Sequence, residues 1–250
     1  MSEIKIWAHR GAGGWDKQYA PENTMPAFQK AVEMGADGIE LDVQFSRDGE
    51  IVICHDETIE RTSDGEGPVR AYTLAELKAF NFCSVHPEFG FVEIPTLQEF
   101  LDFMGKHDFQ LNIELKTGVY DYPGLEAATA EMVRDYGLAD RVLYSSFSIG
   151  SLRKLREADR TARIAILCSS DFVLPEDIRA LDASHSSLGT DRHSRTRQKM
   201  ARLGPHCQHM DRGQPRPHET AHSARRRRHH HRLPGHGEKS SRAFVSRYGM

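Results

Sequence analysis

The sequence predicts an α/β domain in which the strands of a parallel sheet alternate with helices. Along residues 4–168, short apolar segments typical of strands alternate with segments whose apolar residues recur at three- and four-residue spacing. Strands that are separated by helices in this way usually pair in parallel. The length of 250 residues suits one (β/α)8 barrel or two small domains.

The first predicted strand covers residues 4–8 and leads into a glycine-rich loop. Because glycine has no Cβ atom, we expect this loop to let the backbone approach a ligand closely. Residues 21–34 then predict a helix, since Phe28, Ala31 and Val32 share one helical face. Together these segments form the first strand, loop and helix of the predicted sheet.

An acidic strand follows at residues 38–43, in which apolar and acidic side chains alternate. This period of two places Glu40 and Asp42 together on the face opposite the apolar residues. Two such carboxylates repel each other unless a cation lies between them, and oxygen ligands suit a hard ion such as Mg2+ or Ca2+. For this pair taken alone, the solvated outer face of an edge strand is the simpler interpretation.

The remaining elements continue the alternation. A tight turn at residues 47–50 joins the acidic strand to another at 51–54, and a polar loop covers 58–70. Capping boxes that begin at Thr73 and Thr96 each predict the start of a helix. Further strands are predicted at residues 111–115, 141–147 and 163–168, and further helices at 125–133 and 149–158.

Charge divides the chain into two unlike parts. Residues 1–184 contain 18 basic and 32 acidic residues, whereas residues 185–250 contain 15 basic and 4 acidic residues. The four cysteines show no CxxC spacing, which is typical of free thiols in a cytoplasmic protein. No leader sequence is recognisable, and no segment reaches the roughly 18 apolar residues of a membrane span. We therefore expect a cytoplasmic protein without a membrane span.

Five motifs follow one another along the first half of the chain. They are HRG at residues 9–11, PENT at 21–24, GIELDV at 38–43, DGEIVICHDET at 48–58 and LNIELK at 111–116. In this order they resemble the glycerophosphodiester phosphodiesterase family, over about residues 4–117. The resemblance implies a (β/α)8 TIM barrel whose site lies at the C-terminal ends of its strands. It also implies a small insertion after the third strand, at about residues 57–95, that lies over this face.

The resemblance assigns chemical roles to these motifs. It implies that His9 and His55 form the catalytic acid–base pair, a role that suits imidazole because it titrates near neutral pH. It implies that Glu40, Asp42 and Glu114 coordinate one divalent cation, Mg2+ or Ca2+.

The remaining polar residues of the motifs would hold the substrate or support the site. Arg10 would bind a phosphate oxygen through its planar guanidinium group. Lys116 would add a second positive charge, with an ion pair to Glu114 as its alternative role. The supporting residues would be Glu22, Asn23 and Asp56. For the first two of these, capping of the following helix is the alternative.

The leading hypothesis for function is metal-dependent hydrolysis of small glycerophosphodiesters to glycerol 3-phosphate and an alcohol. The resemblance implies that the glycerol 2-hydroxyl attacks phosphorus between the two histidines, and that water then opens the cyclic phosphate. One alternative is a lysophospholipid or sphingolipid phosphodiesterase with the same chemistry, and another is a frame-disrupted, non-functional product. A nucleic-acid partner is not expected, and the sequence leaves the oligomeric state open.

Beyond about residue 183 the chain loses the pattern of a folded domain. Residues 184–250 contain no Ile, one Val, one Phe and one Tyr, and the run at 225–232 consists only of Arg and His. A disordered basic tail, a histidine metal site or a nucleic-acid-binding tail would each fit this composition. We therefore divide the chain into a barrel at residues 1–183 and a basic His/Arg-rich tail at 184–250.

A shifted reading frame explains the tail better than these alternatives. Met210 and Asp211 must be encoded by ATG-GAY, and reading from the second base gives TGG, a tryptophan codon. The same offset permits Val-Asn-Thr before this tryptophan and Ile-Ile-Thr-Asp at residues 229–232, which resemble the family's seventh and eighth strands. We therefore expect a frame change near residue 183, which would remove the last strands and expose two sheet edges.

Overall fold

The computed structural model describes residues 5–13, 19–83, 86–168, 175–189, 207–211 and 246–248. Its strands are β1 (Lys5–His9), β2 (Gly38–Phe45), β3 (Ile51–Ile53), β4 (Gln110–Leu115), β5 (Val142–Ser146), β6 (Arg163–Cys168), β7 (Ser184–Gly189), β8 (Cys207–Asp211) and β9 (Ser246–Tyr248). Its α-helices are α1 (Met25–Glu33), α2 (Leu74–Leu77), α3 (Leu97–Met104), α4 (Leu125–Asp135), α5 (Ile149–Ala158) and α6 (Pro175–Leu181). Short 3-10 helices lie at Val69–Ala71, Pro87–Phe89 and Ala139–Arg141.

A curved run of parallel strands forms the body of the described fold. The strands pair in the order β8-β7-β6-β5-β4-β2-β1, and β9 adds an antiparallel strand beside β1. β3 pairs antiparallel with β2 through the predicted tight turn. Because α1, α4, α5 and α6 each lie between two successive parallel strands in the sequence, the predicted alternation is observed.

The helix boundaries follow from local capping chemistry. Helix α1 begins at Met25, later than predicted, because Thr24 is still extended and Pro26 suits the first helical turn. Both predicted capping boxes are present, at the start of α2 and of α3. In each of these helices the side chain of the N-cap threonine therefore accepts from one N–H of the first turn, and a glutamate side chain accepts from the N–H of that threonine.

Two apolar cores support the sheet. The larger core packs the helices against the parallel strands, and Phe28 of α1 meets Phe100 of α3 edge to face with ring centroids 4.6 Å apart. The smaller core lies within the segment after β3 and packs Ile59, Val69 and Leu77 against Val52 of β3. The predicted insertion is therefore a packed layer with its own apolar interior.

The described backbone continues beyond residue 183 as β7, β8 and β9. β7 pairs in parallel with β6, and β8 pairs in parallel with β7. The other residues of the predicted tail, including the basic run at 225–232, lie outside the described residues. Within the described ranges, none of the helices has both the length and the apolar character needed to cross a membrane.

Replacing Phe100 with Ala tests the larger core. We expect a loss of about 3–5 kcal/mol in the free energy of unfolding, because the buried ring would leave a cavity beside Phe28. The matched control is Phe91→Ala, since Phe91 is 59% exposed and its truncation should change stability by no more than about 0.5 kcal/mol. Urea unfolding of both variants measures the difference, and equal losses would contradict the described packing.

Candidate active site

Three carboxylates meet at the sheet and are here called the carboxylate cluster: Glu40, Asp42 and Glu114. The parallel register of β2 and β4 places Asp42 beside Glu114, and all three side chains are at least nine-tenths buried. One oxygen atom from each carboxylate lies within 4.8 Å of the other two. The acidic face predicted from the alternation therefore points inward and is not the solvated face of an edge strand.

The electrostatics of the carboxylate cluster show a surplus of negative charge. Burial, followed by repulsion from Asp42 and Glu114, raises the pKa of Glu40 well above its usual range. Burial and then Asp42 raise the pKa of Glu114 as well. Burial opposes ionisation of Asp42 too, but His55, Lys116 and Arg10 outweigh it and lower the pKa of this carboxyl.

The donor set fits a divalent cation. Oxygen atoms that bind one Mg2+ or Ca2+ at roughly 2.0–2.6 Å lie at most about 5 Å apart, which matches the spacing of the carboxylate cluster. Among the described residues, Asp42 Oδ1 is buried and accepts no hydrogen bond. A hard cation among these oxygens would satisfy this atom and reduce the repulsion.

Two basic side chains flank the carboxylate cluster. The backbone N–H of Arg10 donates to Glu40 Oε2 at 2.9 Å, and its Nε atom lies 3.7 Å from Asp42 Oδ2. Lys116 Nζ donates to Glu114 Oε1 at 3.0 Å and lies 3.8 Å from Asp42 Oδ1. The ion pair that we considered as the alternative role of Lys116 is therefore present, and it places this ammonium group at the cluster.

Glu22 and Asn23 of the PENT segment contact Arg10 and the carboxylate cluster, and neither is the N-cap of the following helix. Asn23 Nδ2 donates to Asp42 Oδ2 at 2.8 Å, and Glu22 Oε1 accepts from Arg10 Nη1 at 2.9 Å. The N-cap of α1 is Thr24, whose side chain makes no capping hydrogen bond. Arg10 and Asn23 have φ angles of 54° and 55°, in the left-handed region that costs free energy for these residue types.

The glycine-rich loop after β1 packs against the protein itself. A Cβ atom on Gly13 would lie 2.3 Å from the Cα atom of Glu22, and one on Gly11 would lie 2.8 Å from the backbone carbon of Ala27. Gly11 also has a φ angle of 73°, which favours glycine. At these two positions the backbone was expected to approach a ligand closely. It instead packs closely against the PENT segment and α1, and this packing positions Arg10.

Both predicted histidines lie beside the carboxylate cluster. His9 Nε2 is 3.7 Å from Glu40 Oε2, and burial, followed by the nearby Arg10, lowers the pKa of His9 to about 3. His55 follows β3, and its Nδ1 atom lies 2.5 Å from Asp56 Oδ1. Each imidazole also interacts electrostatically with Asp42, so both face the same region.

A profile of the glycerophosphoryl diester phosphodiesterase family matches residues 9–207. The chain belongs to this family. The predicted resemblance is therefore confirmed, and so is its reaction class, the hydrolysis of phosphoric diesters. Family membership together with the parallel strand order also confirms the predicted TIM barrel, which is incomplete at its C-terminal end within the described residues.

Curated relatives and solved structures agree with this assignment. A glycerophosphodiester phosphodiesterase from Caldanaerobacter subterraneus subsp. tengcongensis is 42% identical over 171 residues, which are 68% of this chain and 69% of the relative. Another, from Bacillus altitudinis, is 44% identical over 165 residues, which are 65% of this chain and 66% of the relative. A phosphodiesterase from Oleispira antarctica, solved in complex with the product sn-glycerol-3-phosphate, has a TM-score of 0.62 and 26% identity, covering 81% of this chain and 91% of its own.

One residue that contacts the supporting residues of the site was not predicted from the sequence. Arg61, in the insertion, contacts Glu22 through both terminal nitrogens at 2.8 and 2.7 Å. Its Nε atom donates to Asp56 Oδ2 at 2.5 Å. Because Arg61 lies in a polar loop without periodicity, the sequence gives no signal that it reaches two supporting residues.

Adding Mg2+ or Ca2+ should raise the melting temperature of the wild-type chain. At a concentration 100 times Kd, a bound ion stabilises the folded state by about 2.7 kcal/mol. For a chain of this size, each kcal/mol of stabilisation raises the melting temperature by roughly 2–4 °C. Glu114→Gln should greatly reduce this shift because it removes one ligand charge. Differential scanning fluorimetry provides the measurement.

The matched control for the metal titration is Glu93→Gln. Glu93 is a carboxylate that pairs with Lys78 outside the carboxylate cluster, so its loss should leave the metal-induced shift unchanged. An equal shift in wild type and Glu114→Gln would show that the ion binds elsewhere.

Proposed function

We propose that this chain hydrolyses small glycerophosphodiesters to glycerol 3-phosphate and an alcohol with one bound divalent cation. The observation that carries the proposal is the convergence of the carboxylate cluster, two basic groups and two imidazoles beside the ends of neighbouring strands. Hydrolysis of a phosphodiester needs positive charge for the phosphate oxygens and groups that transfer protons. The same region of the protein can supply both.

Charge neutralisation would fall to the cation and two side chains. The carboxylate cluster would hold Mg2+ or Ca2+, which when bound offsets the negative charge that develops on the phosphate. Arg10 would bind a phosphate oxygen through its planar guanidinium group. Lys116, whose side chain is 11% exposed, would supply a second positive charge beside Glu114 and Asp42.

Proton transfer would fall to His9 and His55. One imidazole would accept the proton of the glycerol 2-hydroxyl as its oxygen attacks phosphorus, and the other would donate a proton to the leaving alcohol. Water would then open the cyclic phosphate to give glycerol 3-phosphate. Asp56 accepts a hydrogen bond only when His55 Nδ1 carries the proton, which leaves Nε2 of His55 to exchange protons with the substrate.

A cavity beside the site offers room for the alcohol part of the substrate. It has a volume of about 230 Å3, lies next to Glu114 and Lys116, and is also lined by Val119 and Phe147. A small headgroup would fit this cavity, and the assay described below separates this substrate from the lysophospholipid or sphingolipid alternative.

The proposal extends to partners and location. A small-molecule diester is the partner that the site favours, and a nucleic-acid partner is not part of the proposal. We place the protein in the cytoplasm because Cys54, Cys83 and Cys168 are buried free thiols, as is usual for proteins kept in a reducing compartment.

His9→Ala and His55→Ala should each lower kcat on glycerophosphocholine by about 10²–10⁴-fold, because each removes one partner in proton transfer. The control is His107→Ala, since His107 packs beside Phe103 with ring centroids 4.5 Å apart and has no proposed role. A phosphatase-coupled assay of released glycerol 3-phosphate gives the rates. Unchanged rates in both histidine variants would contradict the assignment, and faster cleavage of lysophosphatidylcholine would favour the alternative substrate.

We also propose that the segment after about residue 183 is translated in a shifted frame. A single offset recovers two motifs that resemble the family's last strands, in the order the family requires. The matches to the curated relatives, of 171 and 165 residues, each cover about two thirds of this chain, as a frame change in its last part would produce, whereas the family profile extends to residue 207. The tail at residues 184–250 would then replace the strands that complete the barrel.

A frame-restored chain should melt at a higher temperature and hydrolyse glycerophosphocholine faster than the present chain. The physical reason is that restored strands with the family's motifs would take the places of β7, β8 and β9 and close the core around the site. Thermal melting and the same coupled assay, run on both chains with Mg2+ or Ca2+, make the comparison. A genomic sequence that is intact in the present frame, or a restored chain that melts lower, would remove this proposal.

A further inference from the structure

Arg61 contacts one residue that is distant in sequence, Glu22, and one that is close to it, Asp56. It belongs to the insertion, whereas Glu22 precedes α1 and Asp56 follows β3. Its guanidinium group donates to both oxygens of Glu22, at 2.8 and 2.7 Å, and to Asp56 Oδ2 at 2.5 Å. Three of its donors are therefore directed at two carboxylates, a geometry that a planar fork can satisfy and an ammonium group cannot.

The Glu22 contact leads to the phosphate-binding side of the site. Glu22 Oε1 accepts from Arg61 and also from Arg10 Nη1, the latter at 2.9 Å. Burial opposes ionisation of Glu22, but Arg61 and Arg10 together lower the pKa of this carboxyl. Glu22 is thus an ionised bridge between two guanidinium groups, and its orientation sets the position of Arg10.

The Asp56 contact leads to the proton-transfer side. Asp56 binds Arg61 through Oδ2 and His55 through Oδ1. Since both oxygens are engaged, rotation of the carboxylate would break at least one of these hydrogen bonds. A fixed, ionised Asp56 accepts a hydrogen bond from Nδ1–H of His55 and thereby selects the imidazole tautomer with the proton on Nδ1.

We propose that Arg61 is a positioning residue through which the insertion fixes both Arg10 and His55. The inference rests on the proposed function for its kinetic consequences, but the geometry that it describes can be measured without activity. The insertion would then do more than cover the site. One of its side chains would hold the phosphate-binding group, Arg10, and the proton-transfer group, His55, in fixed positions relative to each other.

An ordinary surface ion pair is the competing explanation. The side chain of Arg61 is 46% exposed, and exposed ion pairs contribute little to stability. The two explanations differ in what they expect after mutation. A surface ion pair predicts small changes in melting temperature and rate, whereas positioning predicts a large change in rate with a small change in melting temperature.

The kinetic test compares Arg61→Gln with Arg61→Lys. We expect Arg61→Gln to lower kcat by about 10–100-fold, the usual cost of losing a group that orients a catalytic side chain, and to raise KM through Arg10. Arg61→Lys should recover part of kcat, because an ammonium group keeps the positive charge but cannot reproduce the two-nitrogen contact with Glu22 together with the Nε contact with Asp56. The control is Arg47→Gln, which removes an exposed arginine paired with Glu76 at 2.9 Å, away from the site.

Equal kcat values for Arg61→Gln and Arg47→Gln would overturn the proposal. Melting temperatures of all variants show whether a lost rate reflects unfolding. If Arg61→Gln does not fold, Arg61→Lys replaces it in each comparison, and a wild-type value of kcat in that variant would equally contradict the two-carboxylate geometry.

Imidazole 15N spectra separate this proposal from the proposed function. In the wild-type chain His55, identified by comparison with His55→Gln, should show one tautomer with the proton on Nδ1. Arg61→Gln should convert this signal to a mixture of tautomers, and Arg47→Gln should not. If the wild-type chain shows no diesterase activity, the proposed function fails, while an unchanged His55 tautomer in Arg61→Gln overturns the role of Arg61.

Discussion

Repulsion among three buried carboxylates is the constraint on which the site depends. Glu40, Asp42 and Glu114 are at most 7% exposed, and bringing such charges together in a region of low dielectric is costly unless they are paired. His55, Lys116 and Arg10 offset part of this cost, as the lowered pKa of Asp42 shows. The raised pKa values of Glu40 and Glu114 show that the compensation is incomplete. The same imbalance that destabilises the cluster would favour binding of a divalent cation among its oxygens.

The parallel sheet brings these groups together without any long loop. Its register sets His9 beside Glu40 and Asp42 beside Glu114, so neighbouring strands contribute functional groups at the same level. Apolar residues that alternate with the acids fill the larger core, and they keep the acidic face directed inward. Catalytic groups at the C-terminal ends of parallel strands are typical of TIM barrels. Here the same packing that stabilises the sheet also holds the carboxylates against their mutual repulsion.

Sequence predicted the parts of the site that depend on local pattern. A period of two identified Glu40 and Asp42 as a pair, and the motif order connected them with Glu114 through a known family. The sequence did not reveal the role of Arg61, because this residue lies in a loop with no periodicity. Its partners are 39 and 5 residues away along the chain. It also could not show that the glycine loop packs on the PENT segment, since that approach depends on tertiary structure. Long-range pairs of polar side chains have no regular spacing in the sequence, whereas the apolar residues of strands and helices have one.

Anomalous scattering from crystals soaked in Mn2+, a stand-in for Mg2+ or Ca2+, would test the central claim most directly. The account predicts a single strong peak bound by one oxygen atom each from Glu40, Asp42 and Glu114, at roughly 2.0–2.6 Å. It also predicts that this peak lies beside Lys116 and Arg10 and within reach of a phosphate between His9 and His55. A fully occupied ion elsewhere, with no density among these three carboxylates, would contradict it.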